Sequence, residues 1–382
     1  MTKKISFNVP LLAGGEINNL FKLNKLKHYS ANGYFTNKCE LWLKKNINCK
    51  EALLVHSCTA ALEMCALLLN VKKNDEIIMP SYTFVSTANA FVLRGGVPVF
   101  VDIDTKTLNI DPKKIEKAVT KRTKAIVAVH YAGVSCDMDS ILKIAKKYKL
   151  YVIEDAAQAI LSSYKGRPLG SIGDLATLSF HDSKNIHCGE GGALLINNKK
   201  FIKRAKILRD KGTNRDDFNN NVVKKYTWVD IGSSYGLSEI NAAFLYAQLS
   251  KSKSIIKKRI KVWNIYHNLF YKLEKEKKIL RPKILDYAKI NAHIYYIIVK
   301  KNIRDELIKY LKSNNITSLF HYISLHSSPF FKKFYKSKIN YSNTSLISKS
   351  IIRLPLHNKL SIDNQKIIIN KIVSFYKKNN VL

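Results

Sequence analysis

Three short stretches of this 382-residue chain carry side chains whose types and spacing could do chemistry. The first, YVIEDAAQA (151–159), is a β-type run ending in two carboxylates, Glu154 and Asp155, with Gln158 close behind. An acid at a strand end stands at the rim of a sheet, where ligands collect, although such an acid is more often a helix cap. The second, LSFHDSKNIHCGEGGALLI (178–196), sets a polar loop between two strand-like runs, with Ser179, His181, Asp182, Ser183, Lys184 and His187 closed by Gly189, Gly191 and Gly192. A lysine held between buried strands loses its proton more readily than one in water, because desolvation disfavours the cation. Lys184 is therefore a candidate amine nucleophile, set against the fact that most of the 65 Lys+Arg side chains must simply be surface charge. The third, VHSCTAALEMCALLL (55–69), runs from a strand through Ser57-Cys58-Thr59 into a helix. Hydroxyls and free N–H groups at a helix start favour a bound phosphate, with plain capping by Ser57 or Thr59 as the alternative.

Together the three stretches fit one chemistry. An amine nucleophile, a strand-end acid and a phosphate cradle are the parts that hold pyridoxal 5′-phosphate: a covalent anchor, a partner for the ring nitrogen and a seat for the phosphate. The acid keeps that nitrogen protonated, so that the ring accepts electrons from a carbanion at the substrate carbon.

The elements that must position these residues are legible as an alternation. ALLV (52–55), EIIM (76–79), VPVFVDI (97–103), AIVAVHY (125–131), YVIED (151–155), ATLSF (176–180) and GALLI (192–196) read as strands, separated by helical patterns such as TAALEMCALLL and MDSILKIAKKY. The pattern predicts an α/β fold: a large, mostly parallel, doubly wound sheet covered by helices on both faces. An N-terminal arm and this sheet make up residues 1–240. Residues 241–382 read as a smaller C-terminal α/β domain, entered by a long helix over 237–274, then a strand at 293–299, a helix in DELIKYLKS and a final helix over 362–376.

Composition excludes several classes. A hydrophobic content of 46% supports a sizeable core and argues against a disordered chain. The net charge of +37 invites a nucleic-acid reading, but the lysines are scattered among Asn and Ile, as on a solvated surface, and a basic field attracts anionic small molecules equally well. No apolar run approaches the ~18 residues of a membrane span, which points to a cytoplasmic protein without membrane attachment. The six cysteines form no CxxC pairs and no metal-ligand spacing, so they read as reduced thiols and no metal is expected.

The chain resembles the DegT/DnrJ/StrS family of sugar-nucleotide aminotransferases, with their fold-type I architecture. The resemblance runs through FNVPLLAGGE, MPSYTFVSTANAFVLRGGVPVFVDID, VHYAGVSCDMDSI, VIEDAAQA, YKGRPLGSIGD, LSFHDSKN, GEGGALLIN, GSSYGLSEINAAFLYAQL and LFHYISLH. It implies that Lys184 binds pyridoxal 5′-phosphate covalently, that Asp155 pairs with the ring nitrogen and that Gln158 lies near the ring hydroxyl. It further implies that Phe84 stacks on the ring and that Cys58, Thr59 and Ser179 bind the phosphate. Two departures stand out: Cys58-Thr59 replaces the usual Gly-Thr, and Ser234-Tyr235-Gly236 replaces Asn-Tyr-Arg, whose Asn reaches the phosphate in the partner subunit. Members that remove a hydroxyl carry histidine in place of the lysine, so Lys184 favours amine transfer. SCTAALEM, KGTNR, KYTWVDIGSSY and FHYISLH are most similar to members that aminate a dTDP-4-keto-6-deoxyhexose with L-glutamate. The products are dTDP-4-amino-4,6-dideoxygalactose and 2-oxoglutarate, destined for surface polysaccharide or enterobacterial common antigen. The resemblance also implies a homodimer with the active site at its interface, and makes Arg215 and His326 candidates for contacts to the anionic sugar nucleotide. Alternatives are a 3-amino or other nucleotide-sugar aminotransferase, and a non-catalytic nucleic-acid-binding or regulatory protein on the same scaffold.

Overall fold

In the computed structural model, which describes residues 4–335 and 340–378, the aliphatic runs assemble into a seven-stranded sheet. In chain order the strands are β1 (Glu51–Val55), β2 (Glu76–Pro80), β3 (Val97–Val101), β4 (Thr123–Val129), β5 (Tyr151–Asp155), the two-residue β6 (Ser163–Tyr164) and β7 (Arg167–Pro168), β8 (Leu175–Ser179), β9 (Gly192–Ile196), the two-residue β10 (Ala288–Lys289), β11 (Tyr295–Ile298) and β12 (Ile351–Leu354). The large sheet has the order β1-β9-β8-β5-β4-β2-β3, and β9 alone runs against the others. Strands β6, β7 and β10 form a small separate sheet.

Side chains alternate between two cores. In β1, Ala52 and Leu54 face one, and Leu53 and Val55 the other; in β4, Ile126 and Ala128 oppose Ala125 and Val127. Because both faces are covered, these strands read as nearly continuous apolar runs. The first face is covered by α1 (Glu16–Leu26), α2 (Tyr34–Ile47) and the helix Glu239–Ser250, through Leu23, Phe35, Leu43, Ala242 and Leu245. The second is covered by α3 (Cys58–Leu68) and α4 (Val85–Val92), through Leu62, Met64 and Phe91.

The seven strands of the large sheet and β11 fall where the sequence places them to within two residues at either end, β12 and the two-residue strands β6, β7 and β10 are not among the expected ones, and the expected single helix over 237–274 is three. Glu239–Ser250, Ser252–Leu269 and Tyr271–Lys275 are separated at Lys251 and Phe270. The pieces serve different cores. Ala242, Leu245 and Leu249 pack under the large sheet, whereas Val262, Trp263 and Tyr266 join Tyr295, Ile297, Ile352 and Leu354 around the antiparallel pair β11–β12. A buried carboxylate ties that region to the sheet: Asp102, just beyond β3, accepts from the Asn343 and Thr344 amides, the Thr344 hydroxyl and Lys114. No helix among the described residues is long and apolar enough to cross a membrane.

Of the two acids that close β5, Glu154 is structural. Fully buried, it accepts hydrogen bonds from the amides of Gly170 (2.9 Å), Ile172 (2.7 Å) and Gly173 (2.7 Å) and from His130 Nε2 (3.0 Å). His130 Nδ1 accepts from the Cys136 amide, so its ring proton resides on Nε2. Burial alone would raise the Glu154 pKa, but His130 and the glycine amides outweigh it and hold the carboxyl below its ordinary value. Glu154→Ala strands all four donors, and urea denaturation is expected to register a loss of about 3–5 kcal/mol; a loss under ~1 kcal/mol would contradict this account.

Candidate active site

A cavity of about 810 Å³ opens at the carboxyl ends of the parallel strands. It receives Cys58 and Thr59 from the turn after β1, residues 83–87 after β2, Asp155 and Gln158 from the end of β5, and Ser179 and Lys184 from the end of β8 and the loop beyond. Residues 319–323 and Arg353 close its opposite wall.

Asp155 is buried, with both carboxylate oxygens engaged: Oδ2 accepts from the Thr87 hydroxyl (2.8 Å) and Oδ1 from the Ala157 amide (3.2 Å). Thr87 in turn bonds to Thr83 (2.8 Å), so the first turn of α4 fixes the acid's orientation. Lys184 sits between β8 and β9, in a loop that is itself ladder-like, with the Phe180 amide bonded to Gly191 O and the Asp182 amide to Gly189 O. The side chain of Asn241 clamps the far limb through Cys188 O and Glu190 O. Asn185, next to the lysine, is held by Asn291 O and His293 Nδ1. Burial pushes the Lys184 amine below the ordinary lysine range, while Cys58 and Asp155 act in the opposite sense.

That balance has a measurable sign. The neutral, reactive fraction of Lys184 grows as pH rises through its pKa, so amine-selective labelling read by mass spectrometry should find a midpoint below the ordinary value of about 10.4. Asp155→Asn removes a neighbour that stabilises the cation and moves the midpoint further down. A midpoint equal to that of exposed lysines would exclude a desolvated amine.

Ser57 caps α3, its hydroxyl accepting from the Ala60 amide (3.0 Å), and Cys58 and Thr59, the first two residues of the helix, line the cavity. Capping by Ser57 is therefore observed, and it leaves the Cys58 and Thr59 amides free of a helix partner. Cys58 begins the helix without a positive φ, so glycine is not needed there. Glycine is needed opposite, at Gly192, where a Cβ would come within 2.4 Å of the Ser57 carbonyl carbon and 2.5 Å of the Cys58 nitrogen. The GEGG segment thus lets β9 pass directly beneath the turn.

Gln158 is locked at both ends of its amide: Oε1 accepts from the Ala132 amide (2.7 Å) and Nε2 donates to the Tyr322 hydroxyl (2.8 Å). Phe84, the residue before α4, exposes its ring, with centroid 6.3 Å from that of Tyr322. Tyr322 adopts φ 37°, a left-handed conformation costly for a bulky residue, and stacks on His321 at 3.7 Å. Burial, reinforced by the positive charges of Lys184 and Arg353, keeps His293 and His321 well below the ordinary histidine pKa.

Lys184, Asp155, Gln158, Phe84, Cys58, Thr59 and Ser179 therefore share one cavity, with Ser57, His181 and Ser183 also in its lining, whereas His326, Arg215 and Ser234 stand outside it. His326 bonds to Ser81 (2.7 Å) and stacks on Tyr341, because it lies in a tight turn while Tyr322, Ile323 and Leu325 of the same segment face the cavity. Arg215 begins a short helix with its guanidinium over Tyr226, and Ser234 is exposed, bridged to Asp210. Sequence reasoning missed Thr87, Tyr322, His293 and Arg353. Only the last leaves a clear trace, as a lone charge in the apolar run IIRLPL.

Residues 13–373 match the DegT/DnrJ/EryC1/StrS aminotransferase family. The chain is 37% identical to the uncharacterized protein MJ1066 of Methanocaldococcus jannaschii, covering 97% of each chain, and 34% identical to the spore coat polysaccharide biosynthesis protein SpsC of Bacillus subtilis, covering 87% of each. Among solved structures it is similar to Helicobacter pylori PseC, an aminotransferase involved in pseudoaminic acid biosynthesis, with TM-score 0.90 and 26% identity over 98% of this chain and 100% of that one. It is also similar to Spr1654 of Streptococcus pneumoniae, named as a sugar aminotransferase and solved in PLP and PMP forms; the PMP form gives TM-score 0.91 and 26% identity over 98% and 99% of the two chains. Matched by that family from residue 13 to 373, with Asp155 and Lys184 lining one cavity, the chain belongs to the DegT/DnrJ/EryC1/StrS aminotransferase family and is a pyridoxal-phosphate-dependent sugar aminotransferase.

Proposed function

We propose that this enzyme transfers an amino group from L-glutamate to the 4-keto carbon of a dTDP-4-keto-6-deoxyhexose, giving dTDP-4-amino-4,6-dideoxygalactose and 2-oxoglutarate for surface polysaccharide synthesis. The observation that carries the chemistry is the shared cavity of Lys184 and Asp155. The choice of sugar rests on the resemblance of SCTAALEM, KGTNR and FHYISLH to enzymes with that substrate, and a role in surface polysaccharide accords with the name of SpsC.

The residues present fit pyridoxal 5′-phosphate. The Lys184 amine has no hydrogen-bond partner among the described residues, the Asp155 carboxylate is oriented by Thr87 and Ala157, and Gly192 keeps the turn with the Cys58 and Thr59 amides open. In this reading Lys184 holds the cofactor covalently, Asp155 pairs with its ring nitrogen and Phe84 covers a ring face. Gln158 flanks the ring hydroxyl, and Cys58, Thr59 and Ser179 hold the phosphate. Bound there, the cofactor supplies an electron sink for a carbanion at the substrate carbon. Lys184, once displaced by the donor amine, takes the proton from the donor α-carbon and, in the second half of the cycle, returns one to the sugar carbon. His293 and His321, kept neutral, add no competing positive charge beside it.

We also read the enzyme as a homodimer in which Ser234 and Arg215 serve the partner's cavity. The exposed apolar side chains of Val222, Trp228 (77% exposed), Val229 and Ile231, just before Ser234, support a covered surface there. The separate core around β11 and β12 supports two domains, with the boundary later than the expected residue 240, because Ala242, Leu245 and Leu249 still pack under the large sheet.

Incubation with dTDP-4-keto-6-deoxyglucose and L-glutamate, followed by NMR of the product, tests the reaction. Nitrogen on C4 in the galacto configuration is expected; nitrogen on C3, or turnover only with another nucleotide carrier, would replace this substrate by a different one.

A further inference from the structure

Three tyrosine hydroxyls gather where segment 319–323 meets the ends of the central strands, and one of them keeps an uncommitted proton. Tyr82, just after β2, donates to His321 O (3.1 Å), and Tyr131, just after β4, bonds to His321 Nδ1 (2.7 Å); both are buried and neither lines the cavity. Tyr322 does line it. Its hydroxyl oxygen accepts from Gln158 Nε2 (2.8 Å), and its own proton has no acceptor among the described residues. Burial, reinforced by the negative charge of Asp155, raises the pKa of this hydroxyl, so the proton is retained across the physiological range. The placement carries a cost in the backbone, which holds φ at 37° while the ring stacks on His321 at 3.7 Å.

Gln158 carries a second uncommitted donor. Its Oε1 accepts from the Ala132 amide (2.7 Å) and one Nε2 proton goes to Tyr322, which leaves the other Nε2 proton free. Ala132 stands behind the cavity wall and Tyr322 in it, so the amide presents its nitrogen to the cavity. Two donors whose heavy atoms lie 2.8 Å apart can converge on one oxygen, the arrangement that stabilises an oxyanion. We propose that Tyr322 is a catalytic residue, donating a hydrogen bond to the ring-hydroxyl oxygen of pyridoxal 5′-phosphate and sharing that oxygen with Gln158. The proposal rests on the cofactor reading above and adds to it a second donor, supplied by the C-terminal region.

Strand order decides which edge of the ring the two donors meet. Pyridoxal phosphate carries its hydroxyl and its phosphate arm on opposite sides of the line from ring nitrogen to aldehyde carbon, and in this reading Asp155 and Lys184 fix that line. In the sheet, β8, β9 and β1 lie on one side of β5, and β4 lies on the other. Ser179 ends β8, and Cys58 and Thr59 follow β1, which assigns the phosphate to that side. Ala132 follows β4 and holds Gln158, which in turn bonds Tyr322, so both donors stand at the opposite edge, the one that bears the hydroxyl.

The visible absorbance of the holoenzyme changes as it loses the proton shared by the ring oxygen and the Lys184 nitrogen. Donors to the oxygen favour the deprotonated form. Tyr322→Phe, which removes one atom and keeps the ring, is therefore expected to raise the pH midpoint of that change by about one unit or more. In a Gln158→Leu background the same substitution should raise the midpoint again. Equilibrium binding supplies a second readout: Tyr322→Phe should weaken pyridoxal 5′-phosphate by about tenfold, and 3-deoxypyridoxal 5′-phosphate, which lacks the ring oxygen, by less than about twofold. Circular dichroism of each variant reports whether it is folded. An unmoved midpoint, no further rise in the Gln158→Leu background, or equal loss of the two cofactors overturns the proposal. The second of these outcomes would make Tyr322 a positioning residue for Gln158, and an unmoved midpoint with a raised KM for one substrate would assign its hydroxyl to that substrate. Wild-type protein that stays colourless with pyridoxal 5′-phosphate refutes the cofactor reading and this proposal with it, whereas a coloured wild type and a variant with the same midpoint refute this proposal alone.

Discussion

Lys184→Ala should leave a folded protein that turns over no more than about 10⁻⁴ as fast as the parent, because in the proposed mechanism both the covalent anchor and the proton carrier are lost together. No other side chain can substitute. His293 and His321 line the same cavity, but His293 is bonded to Asn185 and His321 to the Tyr131 hydroxyl, and neither can form the covalent link of a primary amine. The amine has no hydrogen bond to lose, so the melting temperature should be unchanged or slightly raised, which distinguishes lost chemistry from lost folding. Borohydride treatment of the wild-type holoenzyme should fix the cofactor on the peptide containing Lys184, and the variant should yield no such peptide. Retained turnover in the variant, or a label on a different lysine, would remove Lys184 from the mechanism.

Asp155→Asn should cost about 10³-fold in kcat while the cofactor still binds. The amide keeps the shape and can still bond Thr87 and the Ala157 amide region, but it carries no charge to hold a proton on the ring nitrogen. Two readouts isolate that electrostatic role. The slow step should become proton removal from the substrate carbon, with a primary isotope effect on α-deuterated glutamate. A cofactor methylated on its ring nitrogen, which is positively charged without help, should restore part of the rate in the variant and none in the wild type. Absence of rescue would mean that Asp155 acts through position alone.

The large sheet was legible because a strand buried on both faces leaves an unbroken apolar run, and YVIED and GALLI occupy β5 and β9 residue for residue. The helix over 237–274 was misread because its polar-apolar pattern continues through Lys251; what interrupts it is a change in which core lies beneath, a property of the assembled chain. The same distinction divides the site. Asp155, Lys184 and the Ser57–Thr59 turn stand at ends of local elements and show in local sequence. Tyr322 and Arg353 reach the cavity from segments more than a hundred residues away, and only the tertiary fold brings them opposite Gln158 and Lys184. His326 illustrates the converse: its motif is informative, yet a single tight turn directs its ring to Ser81 and Tyr341.

The reversed direction of β9 has one more consequence. Ser179 and Gly192 are directly paired across β8 and β9, so the excursion that bears Lys184 starts and finishes at one point of the framework. A different side chain at 184 can therefore alter the chemistry offered to the substrate while every strand keeps its neighbours, whereas inserted residues would have to break the hydrogen bonds of Asn185 and Asn241 that fix the loop.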